Sequence, residues 1–509
     1  MCGIVGFIGK EQAAPILLDG LAHLEYRGYD SAGVAVISSE QKLQVRKAVG
    51  RLKVLSDEIH GGADIEGCIG LGHTRWATHG APNIVNSHPH VSEDGKFAVI
   101  HNGIIENYVE IKEFLIGQGI TFKSETDTEV VAQLLEFYYN ECHDFLEAVG
   151  RVLRRIEGAY ALGMLCADCP DRIIAARKDA PLLLGYGEGC NFLASDVTAI
   201  IKHTRDVAYM EDGEVAVLTC DGIEVYDALE QKVEKKHFTI DWEVSAAEKG
   251  GYQHFMLKEI MEQPEALRRA ISPRVKEGKV VFDDLKLPVE KMREFTRIFI
   301  VACGSSYHVG MLGKYTLEHL LRRNVEVVLA SEFRYCDPIV DDKSLVIVIS
   351  QSGETLDTMA ALREAKKRGG YILSIVNVVG SSIARESDDV LYTWAGPEIA
   401  VATTKAYSTQ LAVLDMIGLA FGSALGTVKK EEYDEAVAEL QKLPEKMEQF
   451  LASDSCKDIP KYASQYFNHS SVFFIGRNLD YALGLEGSLK LKEISYIHSE
   501  AYASGELKH

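Results

Sequence analysis

The hydrophobic and polar positions follow one rhythm up to about residue 240 and another rhythm after it. In the first part, short apolar runs alternate with polar turns. They predict strands at 4–8, 67–76 and 96–103, and amphipathic helices over 105–118 and 128–139. Strands in close succession with few helices between them are typical of a layered α+β domain.

Further strands are expected in the rest of this first part. The apolar runs YALGMLC, RIIAAR and LLLGYG each read as a strand. Asp-Gly pairs stand between apolar runs at 212–213 and 221–222. Because Asp-Gly favours the tight turns that join antiparallel strands, both pairs predict β-hairpins.

The second part of the chain repeats a strand, a polar loop and a helix. A helical stretch is expected over 254–275. The strands predicted after it are 297–302, 325–330, 344–350 and 371–378. This order is typical of a doubly wound parallel sheet, in which ligands bind at the carboxyl ends of the strands.

A weak internal repeat divides the second part again. RIFIVACGSSYHVG, starting at residue 297, resembles SVFFIGRNLDYALG, starting at residue 471, in its strand, glycine turn and helix. We therefore expect a second α/β domain that begins near residue 461. The predicted divisions are a domain at 2–240, a linker at 241–253, an α/β domain at 254–445 and the start of another at 461–509.

Composition narrows the classes of function. The chain has 509 residues, 47% of them hydrophobic and 25% charged, as in soluble globular proteins. Its net charge of −21 argues against a nucleic-acid partner, whose phosphates need a basic surface. The apolar runs are too short to predict a membrane span, and no signal peptide is visible. Ten scattered cysteines favour a reducing cytoplasm over a disulfide framework.

The cysteine at position 2 precedes the first apolar run. If the initiator methionine is removed, the Cys2 thiol and a free α-amine belong to one residue. That amine, with a pKa of about 8, can accept a proton near neutral pH. A nucleophile with its own base is one route to covalent catalysis. The alternative from these residues alone is an ordinary cysteine at a strand edge.

Polar residues with complementary chemistry follow the predicted strands of the first part. Arg75 is a candidate to bind a carboxylate through two hydrogen bonds. Asn102 and the Gly103 backbone N–H are candidates to hold an oxyanion. Asp127 is a candidate to bind an ammonium group. Taken singly, the segments HNG and TDTE are better explained as a turn and a helix cap.

Metal binding is not favoured by the spacing of the possible ligands. His73, His79 and His88 lack the helical spacing and the nearby carboxylate of a metal motif. The pair Cys166 and Cys169 has no second pair close by, so we interpret it as coincidental. No metal or other cofactor is predicted.

Two loops of the second part predict an anion site. SQSGET follows the strand at 344–350, and its donors are Ser350, Gln351, Ser352 and Thr355. Hydroxyls and N–H groups at a helix start favour phosphate. CGSS at 303–306 follows another parallel strand. The alternative for SQSGET is a serine-rich helix cap, but two such loops at adjacent strand ends favour a sugar-phosphate cleft.

The motifs of the first part together resemble a known family. CGI at the start, EYRGYDSAG, GHTRWATHG, HNGIIEN and SETDTE occur in the order found in glutamine amidotransferases of the N-terminal-nucleophile (Ntn) type. The resemblance implies that Cys2 attacks the glutamine amide and that its α-amine is the base. It implies an oxyanion hole at Asn102 and Gly103. The glutamine-binding positions that it implies are Arg75, Trp76, His79 and Asp127, with Trp76 also a lid residue.

The second part resembles sugar-isomerase (SIS) domains. With SEFRY, VATTKAYSTQL and GSLKLKEISYIHSEAYASGELKH, the whole chain resembles the glutamine:fructose-6-phosphate amidotransferase family. The sugar-phosphate positions that it implies are Ser306, Ser350, Gln351, Ser352, Thr355 and Val401. Glu493 matches the base of the isomerisation, His509 the ring-opening histidine and Lys490 a supporting lysine. Without the resemblance, Lys490, Lys492 and Glu493 would be interpreted as a solvated helix face.

This resemblance implies a transferase that makes glucosamine 6-phosphate and L-glutamate from fructose 6-phosphate and L-glutamine. It also implies a homodimer, because the family takes the histidine from a neighbouring subunit. The family continues beyond the final histidine to a Schiff-base lysine that has no match here, so we expect an incomplete second SIS domain. The alternatives are a phosphoribosyl amidotransferase, a bare glutaminase or a sugar-phosphate-binding fragment without synthase activity.

Overall fold

The structure, a computed structural model, describes residues 2–25, 28–76, 80–240, 249–283 and 285–509. The chain forms two compact units, Met1–Ala247 (unit 1) and Glu248–His509 (unit 2). The division falls within the segment 241–253, for which a linker is predicted. Residues 241–248 of that segment lie outside the described residues.

Unit 1 is built from two antiparallel sheets and five helices among its described residues. Its strands are β1 Gly3–Ile8, β2 Ser31–Ile37, β3 Leu43–Val49, β4 Ile69–Arg75, β5 His90–Val91, β6 Phe97–Ile105, β7 Gly158–Cys166, β8 Ile173–Lys178, β9 Leu183–Gly187, β10 Cys190–Ala194, β11 Asp206–Tyr209, β12 Val215–Leu218, β13 Ile223–Tyr226, β14 Lys232–Val233 and β15 Phe238–Thr239. Its helices are α1 Ala13–Ala22, α2 Leu52–Glu58, α3 Tyr108–Gly117, α4 Glu129–Cys142 and α5 Phe145–Leu153.

The two sheets of unit 1 stack between two layers of helices. One sheet has the order β15-β11-β9-β10-β1-β4-β2-β3 and the other β14-β13-β12-β8-β7-β6-β5. Successive residues of β1 face opposite layers: Val5 and Phe7 pack in the cluster that holds α1, whereas Ile4 and Ile8 pack between the sheets. Because both faces of each central strand are buried, these strands read as continuous apolar runs. The expected layered α+β domain is confirmed.

Two details of unit 1 differ from the sequence prediction. The helix expected from residue 105 begins at Tyr108, because β6 pairs with β7 up to Ile105↔Gly158 and so extends the strand. The turn at 221–222 joins the paired strands β12 and β13, as predicted. The turn at 212–213 instead connects β11 in one sheet to β12 in the other, so the hairpin prediction there is wrong. An Asp-Gly pair favours a reversal of the chain, but it does not determine which sheet the next strand joins.

Unit 2 contains a parallel sheet with helices on both faces. Its strands are β16 Val275–Lys276, β17 Lys279–Val280, β18 Arg297–Ala302, β19 Val325–Leu329, β20 Ser344–Ser350, β21 Tyr371–Val376, β22 Asp389–Tyr392, β23 Ser471–Gly476 and β24 His498–Ala503. Its helices are α6 Phe255–Met261, α7 Gln263–Ile271, α8 Val289–Glu294, α9 Gly304–Leu321, α10 Ala330–Phe333, α11 Leu356–Lys367, α12 Ser382–Glu386, α13 Lys405–Leu425, α14 Lys430–Ala452, α15 Asp454–Lys457, α16 Ile459–Tyr466 and α17 Leu479–Ser495.

The central sheet of unit 2 has the order β19-β18-β20-β21-β22, with every pair parallel. Alternate residues of β20 enter two clusters: Ile347 packs on the side of α9 and α13, and Val346 and Val348 on the side of α11. The expected doubly wound sheet is confirmed. Helix α13 has the length and composition of a membrane span, but 61% of its apolar window is buried inside the structure. Packing against α7 and α9 accounts for its apolar composition.

The helical stretch and the internal repeat predicted for unit 2 are both found in the structure, the helical stretch in a divided form. The single helical stretch expected over 254–275 is two helices, and Pro264 lies in the first turn of the second, where a missing N–H is tolerated. Strands β23 and β24 are parallel and joined by α17, which repeats the strand–helix–strand order of β18, α9 and β19. This agrees with the internal repeat in the sequence.

Substitution of Ile347 tests the burial of β20. Ile347 is 1% exposed, whereas Ile339, in the loop before β20, is 73% exposed. We expect Ile347→Ala to lower the free energy of unfolding by about 2–5 kcal/mol, because it leaves a cavity in the core. Ile339→Ala should change it by less than about 0.5 kcal/mol. Urea unfolding of both variants measures the difference, and equal effects would contradict the assigned register.

Candidate functional site

The thiol of Cys2 lies at the end of the central strands of unit 1. Strand β1 pairs with β4 in the register Gly3↔Thr74, so Cys2 lies just beyond the paired region, beside Trp76. The Trp76 backbone N–H donates a hydrogen bond to Cys2 Sγ over 3.3 Å. Burial raises the pKa of the Cys2 thiol above its usual value, and the Trp76 contact lowers it by less. The thiol is therefore protonated at neutral pH and needs a base to become a nucleophile.

Strand β6 in the other sheet brings Asn102 and Gly103 to the same place. Asn102 Nδ2 donates to the Cys2 backbone oxygen over 3.0 Å. Gly103 has φ +133°, and a Cβ there would lie 2.0 Å from the Ala159 backbone oxygen. Only glycine fits such a position. The predicted oxyanion pair thus lies beside the predicted nucleophile.

Two groups of opposite charge lie near the thiol. Arg75, the last residue of β4, is buried, and its side chain reaches the Gly80 carbonyl oxygen over 3.3 Å. Burial lowers the pKa of Arg75, and the nearby carboxylates of Asp30 and Asp127 raise it by less. Asp127 is also buried, and its carboxylate accepts a hydrogen bond from the Ile105 N–H over 2.8 Å. The pair suits the carboxylate and ammonium groups of an amino acid.

Trp76 and His79 are the other two predicted glutamine-binding residues. Trp76 is 40% exposed, and its ring lies edge-on to Tyr29 with 5.2 Å between ring centroids. The Trp76 backbone contacts the thiol and its ring is exposed, and its role as a lid stays a prediction. His79 lies outside the described residues.

A layer of buried imidazoles and hydroxyls packs behind this site. The Thr128 hydroxyl lies 2.9 Å from His101 Nδ1 and 3.1 Å from His88 Nε2, and Thr126 lies 3.0 Å from His90 Nε2. The rings of His73 and His88 have centroids 4.2 Å apart. Over the described part of the chain, no group of three or more His, Cys, Asp or Glu side chains is arranged to hold a metal ion. The hydrogen bonds to Thr126 and Thr128 join His88, His90 and His101 in the polar core of unit 1.

In unit 2, the predicted loops lie at the point where the sheet order reverses. Strand β18 is followed by β19 on one side, and β20 starts the run β21 and β22 on the other. The neighbouring strand ends Ala302 and Ile349 are paired in register. The loops that follow them begin α9 and lead into α11, so both open at the usual ligand crevice of such sheets.

The SQSGET loop is folded into a compact set of donors. Ser350 Oγ lies 3.2 Å from Thr355 Oγ1 and accepts a hydrogen bond from the Gly353 N–H. Ser352 Oγ accepts a hydrogen bond from the Glu354 N–H over 3.2 Å. Gly353 has φ +67°, and a Cβ there would lie 2.0 Å from Ser381 Oγ. The turn therefore requires glycine, and it holds the hydroxyls at the start of α11 in a position that suits phosphate.

The other predicted sugar residues are distributed around this crevice. Gln351 lies in the same loop, and its backbone oxygen accepts a hydrogen bond from the Asn377 N–H over 3.1 Å. Ser306, in the first turn of α9, is buried and donates to Gln410 Oε1 of α13 over 3.1 Å. Val401 lies before α13 and is 70% exposed.

Helix α17 carries a charged cluster. Lys490 forms ion pairs with Glu493 and, over 3.6 Å, with Glu486. The other Glu486 oxygen lies 2.8 Å from His308 Nδ1 of α9. The structure therefore places Lys490 and Glu493 in one ion pair, and their roles in the isomerisation stay predictions. His509 is exposed, and its backbone N–H donates to the Glu506 carbonyl oxygen over 3.0 Å.

Sequence reasoning missed Glu486 and His308. Glu486, Lys490 and Glu493 are spaced i, i+4 and i+7, which places them on one face of a helix, and this spacing was available as a signal. It also missed the roles of Thr128 and His73 in unit 1, for which the sequence carries no local signal. Their partners come from strands that are distant in the chain.

Comparison with protein families identifies both units. Residues 56–236 match the family model of the glutamine amidotransferase domain, and residues 291–420 match that of the SIS domain. The chain is 56% identical over its whole length to the glutamine–fructose-6-phosphate aminotransferase (isomerizing) of Caldanaerobacter subterraneus subsp. tengcongensis. It is 53% identical over its whole length to the enzyme of that name from Clostridium tetani. In both cases the chain spans 83% of the relative.

Among solved structures, part of the chain is similar to the C-terminal domain of glucosamine-fructose-6-phosphate aminotransferase from Francisella tularensis. The identity is 42% and the TM-score 0.49, and the match covers 52% of this chain and 73% of that one.

The buried histidines predict a pH dependence of stability. Burial lowers the pKa of His73 to about 3 and that of His90 well below its usual value. In the unfolded chain an imidazole titrates near pH 6.5, so unfolding takes up protons below about that pH. The free energy of unfolding should therefore fall as the pH falls below about 6.5, with each neutral histidine contributing up to about 1.4 kcal/mol per pH unit.

His90→Gln tests this dependence. Glutamine can still hydrogen-bond Thr126 but takes up no proton, so the slope of unfolding free energy against pH should decrease by up to about 1.4 kcal/mol per pH unit below about pH 6.5. Urea unfolding at a series of pH values measures the slope. His469→Gln, at an exposed position in unit 2, is the control and should leave the slope unchanged. An unchanged slope in His90→Gln would show that His90 is not held neutral.

Proposed function

The chain belongs to the glutamine–fructose-6-phosphate aminotransferase (isomerizing) family, and we propose that it transfers the amide nitrogen of L-glutamine to fructose 6-phosphate. Membership in this family makes it a glutamine-dependent aminotransferase. The products are glucosamine 6-phosphate and L-glutamate. The observation that carries the proposal is that the end of β4, with Arg75 and Trp76, and Asn102 of β6 meet at Cys2, while Asp127 binds the backbone at the end of β6.

In the first step, Cys2 Sγ attacks the side-chain amide carbon of glutamine. Removal of Met1 frees the α-amine of Cys2, which takes the thiol proton. A base on the same residue meets the requirement set by the protonated thiol. The α-ammonium group returns that proton to the amide nitrogen, the C–N bond breaks, and ammonia leaves a thioester on Cys2. Water then hydrolyses the thioester, which releases glutamate and restores the thiol.

Unit 1 also supplies groups for the tetrahedral intermediate and for the amino acid itself. One N–H of the Asn102 amide binds the Cys2 backbone oxygen, and the other is directed to the oxyanion together with the Gly103 N–H. Arg75 binds the α-carboxylate of glutamine, and Asp127 binds its α-ammonium group. Trp76 and His79 complete the glutamine site, with Trp76 as its lid.

Unit 2 binds the sugar phosphate. Ser350, Gln351, Ser352 and Thr355 hold the phosphate at the start of α11, where hydroxyl donors and the helix dipole favour an anion. Ser306 and Val401 contact the sugar. The position of the SQSGET loop at the reversal of strand order supports this assignment.

The charged cluster of α17 carries out the isomerisation. Glu493 moves the proton between C1 and C2 of the sugar, and Lys490 supports it through their ion pair. His509 opens the sugar ring and reaches the site from a neighbouring subunit, so the working form is a homodimer. We place the reaction in the cytoplasm.

Cys2→Ala tests the glutaminase step. We expect loss of glutamate formation by more than about 10³-fold, because the nucleophile is removed. The measurement incubates the full chain with glutamine and fructose 6-phosphate and quantifies glutamate and glucosamine 6-phosphate together. Cys68→Ala, at another partly buried cysteine of unit 1, is the control and should retain activity.

The outcomes of this experiment separate the candidate activities. Equal amounts of both products in the wild type support the proposal. Glutamate without amino sugar would indicate a glutaminase alone. Absence of Cys2-dependent glutamate, in protein whose mass shows that Met1 has been removed, would contradict the proposal.

Thr355→Val tests the phosphate site. It keeps the shape of the side chain and removes a hydroxyl next to Ser350. Because hydrogen bonds to charged groups contribute about 1.5–3 kcal/mol, we expect KM for fructose 6-phosphate to rise at least about tenfold. Glutamate formation without sugar should be unchanged. Thr121→Val, at an exposed position in unit 1, should alter neither value. An unchanged KM in Thr355→Val would remove Thr355 from the site.

A further inference from the structure

The side-chain amide of Asn102 has to face Cys2 with its nitrogen. A primary amide rotated by half a turn exchanges an acceptor oxygen for a donor NH2 group. Only the orientation with nitrogen toward Cys2 can donate a hydrogen bond to an oxyanion there. The orientation of this amide therefore decides whether Asn102 can act as an oxyanion donor.

His73 lies on the other side of this amide. Its Nε2 is 3.0 Å from Asn102 Oδ1 and 3.1 Å from the His101 backbone oxygen. A backbone carbonyl can only accept, so His73 Nε2 has to carry the proton. The Asn102 atom that faces Nε2–H then has to be an acceptor, which is the oxygen. The nitrogen consequently points to the Cys2 backbone oxygen, 3.0 Å away.

The surroundings of His73 maintain this tautomer. His73 is 1% exposed, and its residue pairs with Ile4 in β1 and Gly33 in β2. Burial lowers the pKa of its imidazole to about 3, so the ring holds one proton at neutral pH. His73 Nδ1 is buried and has no hydrogen-bond partner among the described residues. A proton on Nδ1 would leave a buried donor unsatisfied, which is unfavourable.

We propose that His73 is a positioning residue for the glutaminase step, and that its Nε2–H, held by the His101 carbonyl, orients Asn102 so that an amide N–H faces the oxyanion. The inference rests on the proposed function of Cys2 and Asn102. His73 does not touch the substrate. It acts through Asn102, so its loss affects the transition state more than the binding of glutamine by Arg75 and Asp127.

His73→Leu and His73→Gln form the test. Leucine has no donor, so we expect kcat for glutamate formation to fall about 10–100-fold, part of the loss that removal of an oxyanion donor causes. KM for glutamine should stay within about threefold, because ground-state binding is unaffected. Glutamine can donate from its own NH2 to Asn102 Oδ1, so His73→Gln should recover kcat to within about fivefold of the wild type.

A double-mutant cycle with Asn102→Ala separates positioning from general packing. If His73 acts only through Asn102, then His73→Leu should change kcat by less than about twofold in the Asn102→Ala background. An equal loss in both backgrounds would overturn the proposal. So would a kcat that is unchanged in His73→Leu, or one that is as low in His73→Gln as in His73→Leu.

A measurement on the unsubstituted protein keeps the test decisive if His73→Leu does not fold. Nitrogen NMR of ¹⁵N-histidine-labelled protein, with His73→Gln used for assignment, reports which ring nitrogen of His73 carries the proton. Protonation on Nε2 is expected, and protonation on Nδ1 would overturn the proposal. If the wild type shows no Cys2-dependent glutamate formation, the proposed function fails. An active wild type with an unaffected His73→Leu refutes only the role of His73.

Discussion

The hydrogen-bond register between β1 and β4 is the constraint on which the glutaminase site depends. Strand β1 lies inside its sheet, paired with β4 on one side and β10 on the other. Both neighbours fix the strand, so Cys2 can lie only at its end, beside the residue that follows β4. The Trp76 N–H, the Arg75 side chain and His73 all come from β4 or its end. A shift of the register by one residue would turn each side chain of β1 to the opposite face.

The second sheet completes the site because it packs closely on the first. Asn102 of β6 reaches the Cys2 backbone from the opposite layer. Polar groups buried between the sheets need partners: His73 Nε2 lies against the Asn102 amide and a backbone carbonyl, and the rings of His88 and His101 both lie against the Thr128 hydroxyl. The same burial keeps the Cys2 thiol and the imidazoles uncharged. Tight packing thus fixes the positions of these side chains. It also keeps the Cys2 thiol protonated, so a base close to the thiol has to take its proton.

Unit 2 forms its crevice by a different physical route. Its parallel strands need helical crossovers, and the order β19-β18-β20 sends successive helices to opposite faces of the sheet. The ends of β18 and β20 are therefore neighbours without a helix between them, and the loops after them share one space. Helix α17 contributes Lys490 and Glu486 next to α9 through the contact with His308.

Local patterns predicted the architecture of both units well. The strands β18 and β20 were expected within a residue of their observed bounds, because a continuous apolar run suits a strand that is buried on both faces. Predictions were wrong where the local sequence does not determine which strand will be the pairing partner. The pairing with β7 extended β6 to Ile105, and the Asp-Gly turn at 212–213 connects two sheets.

The sequence by itself determined the strands, the order of the motifs and the residue types able to act as nucleophile, oxyanion donor and phosphate ligand. These follow from side-chain chemistry and from apolar periodicity, which are properties of short segments. Only the tertiary structure decided that Asn102 faces Cys2, that His73 controls the Asn102 amide and that Glu486 joins Lys490 to His308. Each of these depends on a hydrogen bond or ion pair that the packing of separate elements sets, and no local pattern specifies which element will be the neighbour.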